Sequence, residues 1–99
     1  MKKSGKYILE GHTPIQIDDL LKWAKWYETA DRLVKRDYIG DIKVSTVFLG
    51  LDHSFGSDKP ILFETMIFGG KHDEYQERYS TWEEAEEGHK KALGLVKSS

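Results

Sequence analysis

Two residues that can do chemistry, Asp52 and His53, directly follow the apolar run of a predicted strand, and Phe55 lies two positions further on. Loops at strand ends often carry binding residues, because the rigid strands fix their positions. A neutral imidazole can ligate a metal, and an imidazolium can pair with a phosphate. The alternative is a structural hairpin loop in which the Asp52 carboxylate accepts hydrogen bonds from the amide of Ser54 or Phe55. The sequence leaves both interpretations open.

Glu64 shares one side of a predicted strand with three apolar residues. A carboxylate in such surroundings costs free energy unless it is paired. Lys43, Arg78 or a histidine could be its partner in an internal salt bridge. The functional alternative is that Glu64 contacts a ligand or acts as a base.

A cation and two rings lie at the start of the last predicted helix. Arg78 and Tyr79 precede the helix, and Trp82 lies in its first turn. A helix N-terminus favours anions, and base stacking on aromatic rings contributes about 1–3 kcal/mol per base. The alternative is that the two rings only anchor the helix on the sheet. We take the loop from Asp52 to Gly56, Glu64 and this segment together as the candidate ligand-binding site. Its predicted residues are Asp52, His53, Phe55, Glu64, Arg78, Tyr79 and Trp82.

Catalytic and metal motifs are weak in this sequence. Glu86 and His89, on the last predicted helix, have the Glu-x-x-His spacing of helical carboxylate metal sites. The other predicted helix has no comparable pair. A core histidine that is hydrogen-bonded to a polar neighbour is therefore favoured. There is no cysteine, phosphate-binding loop, nucleophile elbow or dinucleotide fingerprint. We predict no catalytic residue, no metal site and no cofactor, and we favour a binding protein over an enzyme.

The first half of the chain is predicted to form one strand and one long helix. The strand covers residues 6–10 and ends before Pro14. Apolar residues at helical spacing predict a helix over residues 17–36, with Asp18 or Asp19 as its N-cap. Trp23 and Trp26 lie on this helix, either in the core or at an interface.

The second half is predicted to supply the sheet. Strands over residues 41–51 and 60–68 carry apolar residues on both faces, and a short strand covers residues 75–79. A last helix starts at Thr81 with a capping box that includes Glu84. The order β-α-β-β-β-α predicts the α+β class, with an antiparallel sheet of about four strands and two helices mainly on one face. The other face is expected to meet a ligand or a second copy of the chain.

Size and composition limit the class of protein. The chain of 99 residues predicts a single domain over residues 1–99 that pairs with a second copy. Its net charge of −2, with both signs interleaved, argues against binding to duplex nucleic acid. No apolar run approaches the roughly 20 residues that span a bilayer, and the run after the basic start stops at Leu9. With no cysteine, a cytoplasmic protein without membrane contact is predicted.

Five segments follow one another from Tyr7 to about Val96: YILEGHTP, WAKWYETADR, IGDIKVSTVFLGLDHSFG, PILFETMIFGG and ERYSTWEEAEEGH. In this order they resemble a family of small proteins encoded by bacteriophages and prophages. The STVFLGLDH, FETM and RYSTWEEAEEGH blocks are the most specific part. No catalytic residues are assigned in that family, so none is carried over. The resemblance implies a phage context, in which small accessory proteins frequently oppose host defences.

The leading hypothesis is therefore a phage-encoded counter-defence protein that sequesters a small nucleotide-type host signal in the host bacterial cytoplasm. It would be non-enzymatic and homo-oligomeric. The first alternative is a protein-binding inhibitor of a host defence complex, comparable to an anti-CRISPR protein, that uses an exposed sheet face or the helix with Trp23 and Trp26. The second alternative is a small metal-assisted nucleotide hydrolase.

Overall fold

A four-stranded antiparallel sheet forms the centre of the described part of the chain, which is residues 5–55 and 58–98 of this computed structural model. The elements are β1 (Tyr7–Glu10), β2 (Thr13–Gln16), α1 (Leu20–Thr29), β3 (Leu33–Ile39), β4 (Ile42–Phe48), β5 (Phe63–Phe68), β6 (Gln76–Tyr79) and α2 (Trp82–Lys97). Strands β3 to β6 lie in sequence order, and β1 and β2 form a separate hairpin. The predicted α+β class with a four-stranded antiparallel sheet and two helices is confirmed, but β2 and β3 were not predicted.

The predicted helix over residues 17–36 is wrong in its second half. Asp19 is the N-cap, as predicted, and accepts a hydrogen bond from the amide of Lys22 at 3.1 Å. The helix ends at Thr29, and the Asp31 carboxylate then accepts from the amide of Leu33 at 3.0 Å. Such a short side-chain-to-backbone bond competes with helical hydrogen bonding. The chain after Asp31 therefore leaves the helix despite its apolar spacing.

Pairing with β4 explains why the next residues form β3. The amide of Phe48 donates to the carbonyl of Arg32 at 2.8 Å, and the regular register runs to the pair Ile39 and Ile42. A register shift between Leu33 and Lys35 marks a bulge near the start of β3. β-Branched and aromatic residues are frequent in this segment and suit a strand. Tertiary pairing here overrides helix propensity.

Helix α2 covers one face of the sheet, and alternate residues of β4 and β5 are buried there. The buried side chains of the two strands on this face are Val44, Thr46, Phe48, Phe63, Thr65 and Ile67. The buried residues of α2 are Ala85, Gly88, His89, Ala92 and Val96. The predicted capping box is also confirmed, with Thr81 and Glu84 bonded reciprocally at 3.1 Å.

The β1–β2 hairpin and α1 pack at the end of the sheet where Phe48 and Phe63 lie. The Trp23 indole nitrogen donates to the carbonyls of Tyr7 at 3.2 Å and Gly50 at 3.1 Å. The Trp26 ring meets the Phe48 ring edge-on, with 5.8 Å between the centroids. Both tryptophans therefore attach α1 to the rest of the protein.

Candidate functional site

The face of the sheet opposite α2 is uncovered in the described residues. Among them, α2 is the one element that packs along all four strands. Alternation along each strand assigns the opposite face, which we call the open sheet face. Its residues are Arg36, Tyr38, Lys43, Ser45, Val47, Glu64, Met66, Phe68, Gln76 and Arg78.

Two exposed rings and a lysine form one row across the open sheet face. Tyr38 pairs with Lys43, and Lys43 pairs with Phe68 on the next strand. The rings of Tyr38 and Phe68 belong to residues that are 65% and 40% exposed. The Lys43 ammonium lies 4.5 Å from the centroid of the Phe68 ring, within the range of a cation–π contact. Aromatic surface is thus presented to solvent beside a cation.

Glu64 and Arg78 form a salt bridge on the same face. The Arg78 Nε atom lies 2.8 Å from the Glu64 Oε2 atom, and Gln76 donates to the same oxygen at 2.7 Å. Arg78 was one of the predicted partners of Glu64, and that pairing is confirmed.

The charge of the open sheet face differs in sign from that of the whole chain. Arg36, Lys43 and Arg78 are cationic and Glu64 is anionic, which gives a formal charge of +2. The whole chain carries −2. A basic, ring-bearing face on an acidic protein is suited to an anion with flat groups.

The Asp52 loop is organised by backbone hydrogen bonds. The Asp52 Oδ1 atom accepts from the amides of Ser54 at 2.8 Å and Ile61 at 3.0 Å, so the structural interpretation of Asp52 is confirmed. Burial would raise the pKa of Asp52, but these hydrogen bonds and nearby His53 outweigh it and hold the pKa below its ordinary value. Phe55 is 93% exposed, with a φ of 55°. Gly56, the predicted end of the loop, lies outside the described residues.

Tyr79 and Trp82 lie on the other face of the sheet, where Tyr79 packs against α2 and Trp82 is its first residue. Tyr79 pairs with Phe63 in the ladder, and its hydroxyl lies against Gly88. Trp82 stacks on His12 at 3.8 Å between centroids and meets Phe63 edge-on. Burial raises the pKa of Tyr79. These contacts match the alternative in which both rings anchor the last helix.

The structure therefore distributes the seven predicted site residues over three places. Glu64 and Arg78 are joined on the open sheet face. The other members belong to the loop or to the α2 face, and these are Asp52, His53, Phe55, Tyr79 and Trp82. Tyr38 and Phe68 were not predicted as site residues. The cross-strand register would have placed these two residues in one row, but only if residues 33–39 had been predicted as a strand.

A polar chain that is buried except at Asp37 links β3, β4, β5 and α2. The Asp37 Oδ2 atom lies 2.8 Å from His89 Nε2, and His89 Nδ1 lies 2.7 Å from the Thr46 hydroxyl, which contacts the Thr65 hydroxyl at 2.5 Å. The order carboxylate, imidazole, hydroxyl is that of a nucleophilic triad. Thr46 is 0% exposed, however, so its hydroxyl is closed to a substrate. His89 is the hydrogen-bonded core histidine that was predicted.

Two hollows lie along α2. One of about 590 Å³ is lined mainly by carboxylates, among them Glu77, Glu83 and Glu87, which would repel a nucleotide phosphate. One of about 270 Å³ lies over His89 and Asp37. Within residues 5–55 and 58–98, no three or more histidine, aspartate and glutamate side chains are grouped so that they could hold a metal ion.

Comparisons of this chain with protein-family models, with curated proteins and with solved structures returned no match. Neither helix of the described residues has the length and apolar character needed to cross a membrane.

Proposed function

We propose that this chain is a non-enzymatic binding protein that holds a nucleotide-type ligand on its open sheet face. The observation that carries the proposal is the row formed by Tyr38, Lys43 and Phe68, in which two exposed rings flank a cation. Bases stack on aromatic side chains irrespective of their sequence, and each contributes about 1–3 kcal/mol. Open four-stranded sheets with exposed rings are one general solution for holding unpaired bases.

The cations of the open sheet face support an anionic ligand. Arg36 lies one row away from Tyr38 on β3, and Arg78 lies two rows away from Phe68, on β6 at the other edge of the sheet. The carboxylate of Glu64 holds the Arg78 guanidinium in place. A guanidinium that is positioned in advance loses less side-chain entropy when it binds a phosphate.

This proposal keeps two of the seven residues that were predicted from sequence, Glu64 and Arg78. The Asp52 carboxylate is already used by two backbone amides. The rings of Tyr79 and Trp82 are packed against α2 and the hairpin rather than offered to a ligand.

The biological setting is part of the proposal and rests on the sequence resemblance to small phage proteins. In that setting the protein acts in the host bacterial cytoplasm and sequesters a nucleotide signal of a host defence. A second copy would have to bind elsewhere if the open sheet face holds the ligand. Leu20 and Leu21 of α1, which are 61% and 75% exposed, offer an apolar surface for that contact.

The same exposed leucines favour a second candidate function, a protein-binding inhibitor of a host defence complex. Exposed apolar side chains that lie together are frequent at protein interfaces. In that case Leu20, Leu21 and the loop residue Phe55 would matter, and the open sheet face would not. No observation in the described residues favours the metal-assisted hydrolase.

A thermal-shift screen tests the proposed function. The panel contains mononucleotides, linear and cyclic dinucleotides and cyclic ADP-ribose isomers. A ligand that binds the folded state raises Tm as its concentration increases. The expected result is a shift that Tyr38→Ala abolishes and Phe55→Ala, a matched removal of another exposed ring, leaves intact.

The fate of the nucleotide separates the alternatives. Heat denaturation of the complex should release the nucleotide chemically unchanged. A new product would show an enzyme instead. Absence of any shift across the panel, together with binding of a host protein that Leu20→Ser and Leu21→Ser weaken, would replace the proposal by the inhibitor.

A further inference from the structure

We infer that the ligand of the open sheet face carries two bases joined through a phosphate, so that the chain binds a dinucleotide rather than a mononucleotide. This inference rests on the proposed function and adds the size and arrangement of the ligand to it. The evidence is the spacing of the two exposed rings, the position of Lys43 between them, and the charge of the face.

The two rings stand on β3 and β5, with Lys43 of β4 between them. Tyr38, Lys43 and Phe68 are consecutive partners across three neighbouring strands. Neighbouring strands lie about 4.8 Å apart, so the Cα atoms of Tyr38 and Phe68 are separated by roughly 10 Å. Both side chains project from the same face of the sheet, and with Lys43 between them each ring can stack on a separate base.

Lys43 stands between the two rings, where the linking phosphate of a dinucleotide would lie. Its ammonium now rests 4.5 Å from the centroid of the Phe68 ring. A phosphate oxygen offers an ammonium a stronger, charge-assisted hydrogen bond than the face of a phenyl ring does. When the phosphate binds, the ammonium can turn toward it and leave the Phe68 ring to the second base.

The same features argue against the other occupants of this face. A long single strand is bound by a series of rings along a basic groove, whereas the described residues of the open sheet face present two exposed rings. A second copy that packed face to face by two-fold symmetry would bring two surfaces of charge +2 together. The dinucleotide satisfies both the ring count and the charge.

The experiment compares three adenine probes by isothermal titration at one low ionic strength: AMP, the dinucleoside monophosphate ApA, and the hexamer of riboadenylate. AMP carries more negative charge than ApA, so charge alone would favour AMP. We expect ApA to bind about tenfold or more tightly than AMP, because its second base stacks. Tyr38→Leu and Phe68→Leu, which keep an apolar side chain without a ring, should each reduce ApA affinity to about that of AMP. Phe55→Leu should have no effect.

Each contrary outcome has its own meaning. If AMP binds as tightly as ApA and Tyr38→Leu weakens both equally, the proposed function stands and the dinucleotide inference is wrong. If no adenine probe binds and the thermal-shift panel also gives no shift, both are wrong; if only a mononucleotide of that panel binds, the proposed function stands and the dinucleotide inference is wrong. If the hexamer exceeds ApA by far more than the roughly fivefold statistical factor of its five base steps, the ligand is a longer strand. If the free chain is a dimer that Tyr38→Leu and Phe68→Leu dissociate, the face belongs to a second copy.

Discussion

At the scale of single residues, the Thr46 hydroxyl joins His89 to Thr65 in the interior. An ionised Asp37 carboxylate only accepts hydrogen bonds, so His89 Nε2 carries a proton. With a neutral imidazole, Nδ1 accepts from Thr46, and the Thr46 oxygen then accepts from Thr65. Protons are then donated in one direction along the chain, from Thr65 to Thr46, from Thr46 to His89 and from His89 to Asp37. A partly satisfied chain of this kind would cost more than an apolar core.

Thr46→Val tests this chain of hydrogen bonds. The valine keeps the shape of the threonine but leaves His89 Nδ1 and the Thr65 hydroxyl buried without their partner. We expect the free energy of unfolding to fall by about 1–3 kcal/mol. Urea denaturation measures the change. Ser45→Ala, the neighbouring hydroxyl on the open sheet face, should stay within about 0.5 kcal/mol of the original protein. Equal effects of the two substitutions would contradict the assigned network.

The lowered pKa of Asp52 predicts how the free energy of unfolding depends on pH. Its pKa lies below the ordinary value of 3.8 in the folded protein, so the unfolded chain binds a proton first as the pH falls. The carboxylate therefore stabilises the fold above its unfolded pKa, and this contribution is lost as the pH falls through the folded pKa. In Asp52→Asn the decline of stability below about pH 4 should be shallower than in the original protein.

Urea denaturation at a series of pH values from about 6 down to 2 measures that slope. Asp58→Asn, which removes an exposed carboxylate from the same loop, serves as the control. An unchanged slope in Asp52→Asn would show that the loop contributes nothing to the acid sensitivity of the protein.

At the scale of elements, the contact between α2 and β6 depends on the absence of a side chain at Gly88. The Tyr79 ring and hydroxyl fill the space that a Cβ atom would occupy. Glycine in a helix interior is disfavoured by about 1 kcal/mol relative to alanine. Close packing of the ring on the helix backbone compensates for that preference. Gly94 lies on the same helix, and nothing lies within 4 Å of the position of its Cβ.

The two glycines form a matched pair of substitutions. Gly94→Ala should raise the free energy of unfolding by about 0.5–1 kcal/mol through helix propensity and a less flexible unfolded chain. Gly88→Ala should lower it by about 1–3 kcal/mol, because Tyr79 must move. Thermal and urea denaturation measure both. If Gly88→Ala were also stabilising, Tyr79 would not be packed on the helix as described.

Sequence periodicity predicted the helices and strands that a local pattern determines. It failed where hydrogen bonding to a neighbouring strand determines the structure. Strands β4 and β5, within somewhat longer predicted ranges, and the capping box of α2 were predicted correctly. Residues 30–36 follow a helical spacing but form a turn and the start of β3, because the Asp31 turn and the β4 partner outweigh propensity. The salt bridge of Glu64 with Arg78 was among the predicted pairings. The row formed by Tyr38, Lys43 and Phe68 was not predicted, since no strand was predicted at Tyr38.

At the scale of the whole molecule, the described residues form the sheet with α2 and a smaller unit of the β1–β2 hairpin with α1. Backbone hydrogen bonds join residues 5–7 to residues 50–52, and side-chain contacts add to them, including the Trp23 indole on the Gly50 carbonyl and His12 stacked on Trp82. No residue of α1 is buried. Segments with little buried apolar surface open at lower free energy than the core.

Trp23→Phe removes the indole donor and keeps a ring. We expect amides of the β1–β2 hairpin to exchange hydrogen about tenfold faster, whereas amides of β4, β5 and α2 keep their original rates. Hydrogen exchange with mass spectrometry or NMR measures the two regions separately. A uniform increase across the chain would show that hairpin and sheet open together as one cooperative unit.

The bulge near the start of β3 has a consequence for solutions of high concentration. β3 is an outer strand of the sheet, and its bulge is followed by the charged run Lys35, Arg36 and Asp37. An irregular, charged border of this kind discourages the addition of a further strand from a neighbouring molecule. The β3 edge of the sheet should accordingly resist pairing with a strand of a neighbouring molecule, one route by which proteins grow into fibrils.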